Sequence, residues 1–173
     1  MLTNNGPITL DATCSFRKIW PKVATYRIDI RPETNPDIIM DARELKFPNA
    51  YFDIIYCDPP HLIHKGSPSQ RIKSCRRLRR RIFPDMFTAY GYWQSHKEFH
   101  EFVEKTNNEF YRCLKPKGLV KYKMTNSNGC VKTDDLIEKM THFEVIEHTI
   151  KKSKSGLGNA TTSWITFRSK LNV

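Results

Sequence analysis

Apolar and polar positions alternate with two different periods along this chain, and the switches between them mark its elements. Ile8 to Leu10 is a short apolar run that ends in Asp11 and reads as a buried strand opening into a polar turn. Phe16 to Trp20 predicts a brief helical stretch stopped by Pro21, since proline breaks a helix from within. Ala24 to Ile30 predicts a second strand with Tyr26 and Ile28 on one face. Pro32, Asn35 and Pro36 mark Arg31 to Asp37 as a loop. Ile38 to Met40 reads as a third strand ending at Asp41, and Leu45, Phe47 and Pro48 belong to a connecting turn. Tyr51 to Cys57 reads as a fourth strand, and it stops at Asp58-Pro59-Pro60.

From His61 to Gln94 the apolar periodicity fades and positive charge accumulates, which predicts a long basic insertion. Order returns at Ser95, which has capping-box spacing with Glu98. Phe99, Phe102, Val103, Phe110 and Leu114 then recur at helical spacing, so Ser95 to Leu114 predicts an amphipathic helix. Lys115-Pro116-Lys117-Gly118 reads as a turn and Leu119 to Met124 as a strand. Asp134 to Met140 predicts a helix with Leu136, Ile137 and Met140 on one side. Phe143 to Ile150 and Thr161 to Arg168 read as strands joined without a helix, hence a hairpin whose final strand is inserted antiparallel. Strands alternating with helices predict a single α/β domain over residues 1–173, with a mostly parallel seven-stranded sheet.

No apolar run approaches membrane-spanning length, and Met1 to Pro7 lacks a basic segment followed by an apolar one, so a membrane span or signal peptide is not expected. The five cysteines, Cys14, Cys57, Cys75, Cys113 and Cys130, are scattered with no CxxC pair, which argues against disulfides and a zinc site and for a reducing cytoplasm. Charge changes the picture more. The 29 Lys and Arg against 18 Asp and Glu give a net +11, which raises affinity for polyanions such as DNA and RNA.

In an open α/β sheet, ligands bind beyond the carboxyl ends of the strands. Asp11, Asp29, Asp41 and Asp58 each fall at or near the end of one of the first four predicted strands. With these residues in place, the chain resembles the class I S-adenosylmethionine-dependent methyltransferases from about Ile8 to Arg168. The resemblance implies a Rossmann-like methyltransferase fold and S-adenosylmethionine as cofactor. Ile8-Thr9-Leu10-Asp11-Ala12-Thr13-Cys14 looks like the first cofactor motif, although Cys14-Ser15-Phe16 stands where two glycines are common. Ile28-Asp29-Ile30-Arg31 looks like the strand end whose acid binds the ribose hydroxyls. Met40-Asp41-Ala42, with Phe47-Pro48 and Phe52-Asp53, resembles the stretch that contacts the adenine ring, and Leu114 to Leu119 the helix-turn-strand that supports the next sheet position. More narrowly, the chain is similar to small phage and prokaryotic methyltransferase-domain proteins with a DATC opening and a DPPHL segment.

Asp58-Pro59-Pro60-His61 is the sharpest motif. Amino-methyltransferases acting on adenine or cytosine carry Asp-Pro-Pro and an aromatic residue at this place. An exocyclic amine is a poor nucleophile because its lone pair is delocalised into the ring. A carboxylate and the Pro59 carbonyl can accept both amine hydrogens and favour a pyramidal nitrogen. The prolines stiffen the turn, and His61 takes the place of the residue that stacks on the target base. Asp rather than Asn at position 58 favours adenine or cytosine over guanine or an amide. His61 and His64 near Asp58 are weak evidence of a metal site, and methyl transfer needs none, so no metal is expected.

Arg71, Lys73, Arg76, Arg77, Arg79, Arg80 and Arg81 suit paired hydrogen bonds to phosphate, and Tyr90, Tyr92 and Trp93 offer stacking surfaces for an unstacked base. Together they predict a basic clamp that holds nucleic acid over the active site. A large separate target-recognition domain is not expected within these residues, which points to low sequence selectivity, a homo-oligomer or a partner protein. Two rivals share the fold: a methyltransferase for small molecules or proteins, and a non-catalytic nucleic-acid-binding module with a degenerate cofactor site. Fold alone does not choose among them.

Overall fold

A computed structural model of the protein describes residues 6–15, 24–63, 91–126, 130–152 and 160–170. The predicted helix at Phe16–Trp20, the basic run from Arg71 to Arg81, and Tyr90 lie outside these residues.

The centre of the sheet is built from strands too short to show an alternating pattern, because both faces are covered. They are β1 (Thr9–Asp11), entirely buried, and its parallel neighbours β2 (Tyr26–Asp29) and β4 (Phe52–Cys57). A two-residue β3 (Ile38–Ile39) adds to β2, and a 3-10 turn over Pro32–Thr34 fills part of the predicted loop before it. On the other side of β4 run β5 (Leu114–Asn126), β6 (Phe143–Lys152) and β7 (Thr161–Ser169). The order β3-β2-β1-β4-β5-β7-β6 makes a seven-stranded sheet, in which β7 lies antiparallel between β5 and β6. The expected mixed sheet with an inserted last strand is therefore present. The strand order reverses between β1 and β4, which opens a crevice beyond their carboxyl ends.

The helix α1 (His96–Cys113) starts where the capping pattern placed it: Ser95 Oγ accepts the Glu98 N–H at 3.2 Å. The return bond falls one residue early, from the Gln94 N–H to Glu98 Oε2 at 2.6 Å. Phe99, Phe102, Val103, Phe110 and Cys113 form its buried face. The second helix, α2 (Thr133–Lys139), has no side-chain cap of its own at Lys132. Asn126 Oδ1, at the end of β5, instead accepts the N–H and hydroxyl of Thr133 at 3.1 and 2.8 Å. None of these helices is long and apolar enough to cross a membrane.

One boundary differs from expectation. Lys115 to Gly118 is not a separate turn but the start of β5. Pairing to β4 shifts register between Phe52↔Leu114 and Ile54↔Leu119, and Lys117 takes the left-handed φ of 63° that the predicted turn asked for. The turn chemistry is used as an irregularity inside the strand.

Candidate active site

Beyond the carboxyl ends of β1 to β4 the protein encloses a cavity of about 230 Å3. Six of the eight predicted cofactor residues line it: Ala12, Thr13, Asp29, Ile30, Asp41 and Ala42. Asp11 and Cys14 do not. Cys14 is buried and its N–H bonds the Ile28 carbonyl at 3.0 Å, so it ties the turn after β1 to β2. Asp11 lies behind the cavity wall, 2% exposed. Of the stretch expected to contact adenine, Met40, Asp41 and Ala42 line the cavity and the rest does not. Phe47 and Phe52 pack in an aromatic cluster with Tyr26 and Tyr51, and Asp53 binds the Ile8 N–H at 2.8 Å and Lys115 Nζ at 2.8 Å, away from the cavity.

Ser15 explains how the first turn manages without its glycines. It takes a φ of 45°, the left-handed conformation a glycine adopts most easily, and its N–H donates to Asp29 Oδ2 at 3.1 Å. The same carboxylate accepts Arg31 Nε on Oδ1 at 3.0 Å and Arg31 Nη2 on Oδ2 at 3.2 Å. Asp41 repeats the device with Arg43, whose Nη2 lies 2.6 Å from Oδ2. Burial pushes the Asp41 carboxyl up, but the Arg43 hydrogen bonds and charge outweigh it and hold the group below its ordinary value. Both arginines line the cavity, and the sequence signal for them is an Arg two residues after two of the four strand-end Asp residues.

At the fourth strand end, Asp58 lines the cavity with its side chain only 5% exposed. Its N–H donates to Thr13 Oγ1 at 2.7 Å, which joins the first and fourth strand ends. Lys123 Nζ, from β5, sits 3.0 Å from Asp58 Oδ2. Burial raises the Asp58 carboxyl, Lys123 opposes it, and the net displacement is upward. Sequence reasoning missed Lys123, which is a polar position inside an otherwise ordinary strand. Among the described residues Asp11 has no such ion pair, only the more distant charge of Arg27. Burial, with smaller contributions from Asp58 and Asp29, lifts its carboxyl from 3.8 to about 7 against the Thr13 amide and Arg27.

The rest of the Asp-Pro-Pro-His turn divides by role. Pro60 lines the cavity and Pro59 is buried. His61 is 8% exposed, does not line the cavity, and is held neutral by burial and by Lys123, with its pKa down to about 4. The ring expected to offer a stacking face is thus placed behind the cavity lining rather than in it. The ends of the predicted insertion are closed by isolated bridges, Leu62 to Cys130 and Ile63 to Trp93. Trp93 is also largely buried: it is 8% exposed, donates its indole N–H to the Pro60 carbonyl, and packs on Phe102 at 5.0 Å. It walls the cavity and fixes the turn. Tyr92 is the more open neighbour, and Gly91, with φ 72°, brings the chain against Pro60. Glu98, at the start of α1, completes this side.

Residues 52–168 match a family model described as DNA methylase, about two thirds of the chain. The chain belongs to the DNA methylase family. Its fold is the Rossmann-like methyltransferase fold. The fold is similar to that of TrmN from Thermus thermophilus, with a TM-score of 0.60 at 14% identity over 95% of this chain and 44% of that one. The chain thus spans less than half the length of TrmN. It is also similar to an S-adenosylmethionine-dependent methyltransferase from Methanosarcina mazei, with a TM-score of 0.56 at 14% identity over 96% and 93% of the two chains. A third is the N-methyltransferase NodS from Bradyrhizobium japonicum, solved with S-adenosyl-L-homocysteine, at 0.54 and 10% over 95% and 77%. No curated protein sequence matches.

The residues present fit the cofactor. Ala12, Ala42 and Gly91 are small and leave room for a ligand beside exposed apolar Ile30, while the Asp29 and Asp41 carboxylates, held by Arg31 and Arg43, mark where a ligand hydroxyl would exchange for an arginine contact. This is the apolar cavity with a few convergent polar groups that such ligands use.

Proposed function

We propose that this enzyme methylates an exocyclic amine of a nucleic acid base, adenine or cytosine. The observation that carries the reading is Asp58, fixed at the cavity wall by Thr13 and Lys123. The family, whose name refers to N6 and N4 methylation, supports it.

S-adenosylmethionine, when bound, supplies an electrophilic sulfonium methyl. Asp29 would hold the ribose hydroxyls in exchange for an Arg31 contact, Asp41 and Ala42 would meet the adenine, and the backbone from Ala12 to Thr13 would border the cofactor. Asp11 and Cys14 act only through that backbone. Asp58 and the Pro59 carbonyl accept the two amine hydrogens of the target base, which localises the nitrogen lone pair. Lys123 occupies Asp58 Oδ2 and leaves Oδ1 for this task. An ionised Asp58 is the stronger acceptor and carries no proton of its own to donate, and in this buried place the Lys123 charge favours that form. Pro60 and Trp93 keep the turn rigid, so that most of the acceleration comes from alignment. Tyr92 stacks on the target base in place of His61. The arginines between Arg71 and Arg81, with Lys73 and Tyr90, supply the nucleic acid clamp.

The test is transfer of a labelled methyl group from S-adenosylmethionine to duplex DNA, single-stranded DNA, RNA and protein. Label on a nucleic acid, absent with Asp58→Ala, is the expected result. Label on protein alone, or on none of them, would turn the reading to a protein or small-molecule acceptor.

A further inference from the structure

On the outside of α1, away from the strand-end cavity, three metal-ligating side chains converge. His96 and His100 stand four residues apart, so their imidazoles share one helical face a turn apart. Asp135 reaches them from the first turn of α2. One ligand atom from each residue lies within 4.8 Å of the other two. His100 Nε2 is 3.6 Å from Asp135 Oδ2, too long for a hydrogen bond. Among the described residues it is also a buried side-chain nitrogen with no hydrogen-bond partner. Buried polar atoms are nearly always satisfied, and an orphan nitrogen aimed at a carboxylate and a second imidazole asks for an ion between them.

The distances suit one. An ion bound at about 2.0–2.1 Å in tetrahedral geometry holds its ligand atoms roughly 3.4 Å apart. The His100–Asp135 edge is already close to that, and His96 is exposed and free to turn its ring inward. Nearby Glu104 is paired with Lys139 and does not compete. Two neutral imidazoles and one carboxylate favour zinc-class transition ions over magnesium or calcium.

We propose that His96, His100 and Asp135 form a zinc-class metal site that staples α1 to α2, with water in the remaining position. The site plays no part in methyl transfer. Its effect is to fix the helix that carries Glu98 and Phe102 to the cavity wall.

The test uses tag-free, chelator-treated full-length protein titrated with zinc chloride by calorimetry, with Co2+ absorption as a second readout. One zinc ion binds per chain, the thermal midpoint rises by several degrees, and Co2+ gives tetrahedral visible bands. His96→Gln, His100→Ala and Asp135→Asn each weaken zinc at least tenfold. His96→Gln changes an exposed side chain, so it reports even if His100→Ala folds poorly. No zinc binding, or binding of equal affinity in His96→Gln and Asp135→Asn, for instance at the cysteines, would overturn the proposal.

Discussion

Asp11→Asn isolates what a buried carboxyl does to this fold. Asp11 is 2% exposed, and its carboxyl titrates at about 7 rather than 3.8. Each tenfold change in proton affinity is worth about 1.4 kcal/mol, so the ionised native state carries a penalty that saturates at roughly 4 kcal/mol. The sign follows from proton counting. Below 3.8 both folded and unfolded chains hold the proton and there is no penalty. Between 3.8 and about 7 the unfolded chain loses it first, so stability falls as pH rises, and above about 7 the loss is complete. Asn keeps an oxygen for the Thr13 N–H, which Asp11 Oδ1 accepts at 3.3 Å, but cannot ionise. Any fixed cost of burying its amide is the same at every pH and cancels in the comparison. Urea unfolding at about pH 4.5 and about pH 8.5 should therefore show wild type losing about 3 kcal/mol more than Asp11→Asn over that interval. Parallel stability curves for the two proteins would refute the reasoning.

Four other substitutions separate the site from the fold that carries it. Lys123→Met removes the charge that keeps Asp58 ionised, so methyl transfer at neutral pH should fall at least tenfold. Because Asp58 acts ionised and its carboxyl would rise further, the acid limb of the rate profile should move to higher pH, measured as kcat against pH. Asp29→Ala should weaken S-adenosylhomocysteine at least tenfold by calorimetry, while Asp53→Ala, whose carboxylate ties Ile8 and Lys115 away from the cavity, should leave affinity unchanged. Gly118→Ala would place a Cβ 2.8 Å from Leu114 Cδ2 and from the Lys115 carbonyl oxygen. The backbone oxygen cannot yield cheaply, so a loss of about 1–3 kcal/mol in urea unfolding is expected, with the KM for cofactor unchanged.

What could be read from the sequence follows from how local each feature is. The central strands announced themselves because apolar runs ending in Asp are short-range patterns, and the cavity lies where those endings converge. Amphipathic spacing and the Ser95 cap likewise placed α1 within a residue at each end. Features that depend on pairing between distant segments stayed hidden. Lys123 looks like the outward position between Tyr122 and Met124, both fully buried. Only the pairing of β4 with β5, with Cys57 opposite Tyr122, brings it beneath Asp58. His61 and Trp93 carry aromatic rings that suggest stacking, yet bridges at Leu62 and Ile63 fold both inward. The spacing of His96 and His100 was visible on the predicted helix, but its third partner comes from α2.

The position of the transferred methyl group tests the central claim most directly, because Asp58 is assigned to an exocyclic amine. DNA and RNA incubated with the enzyme and S-adenosylmethionine would be digested to nucleosides and analysed by mass spectrometry. N6-methyladenine or N4-methylcytosine should accumulate with wild type and be absent with Asp58→Ala of native thermal stability. Methylation found only on a ring carbon, or accumulating equally with Asp58→Ala, would contradict the account.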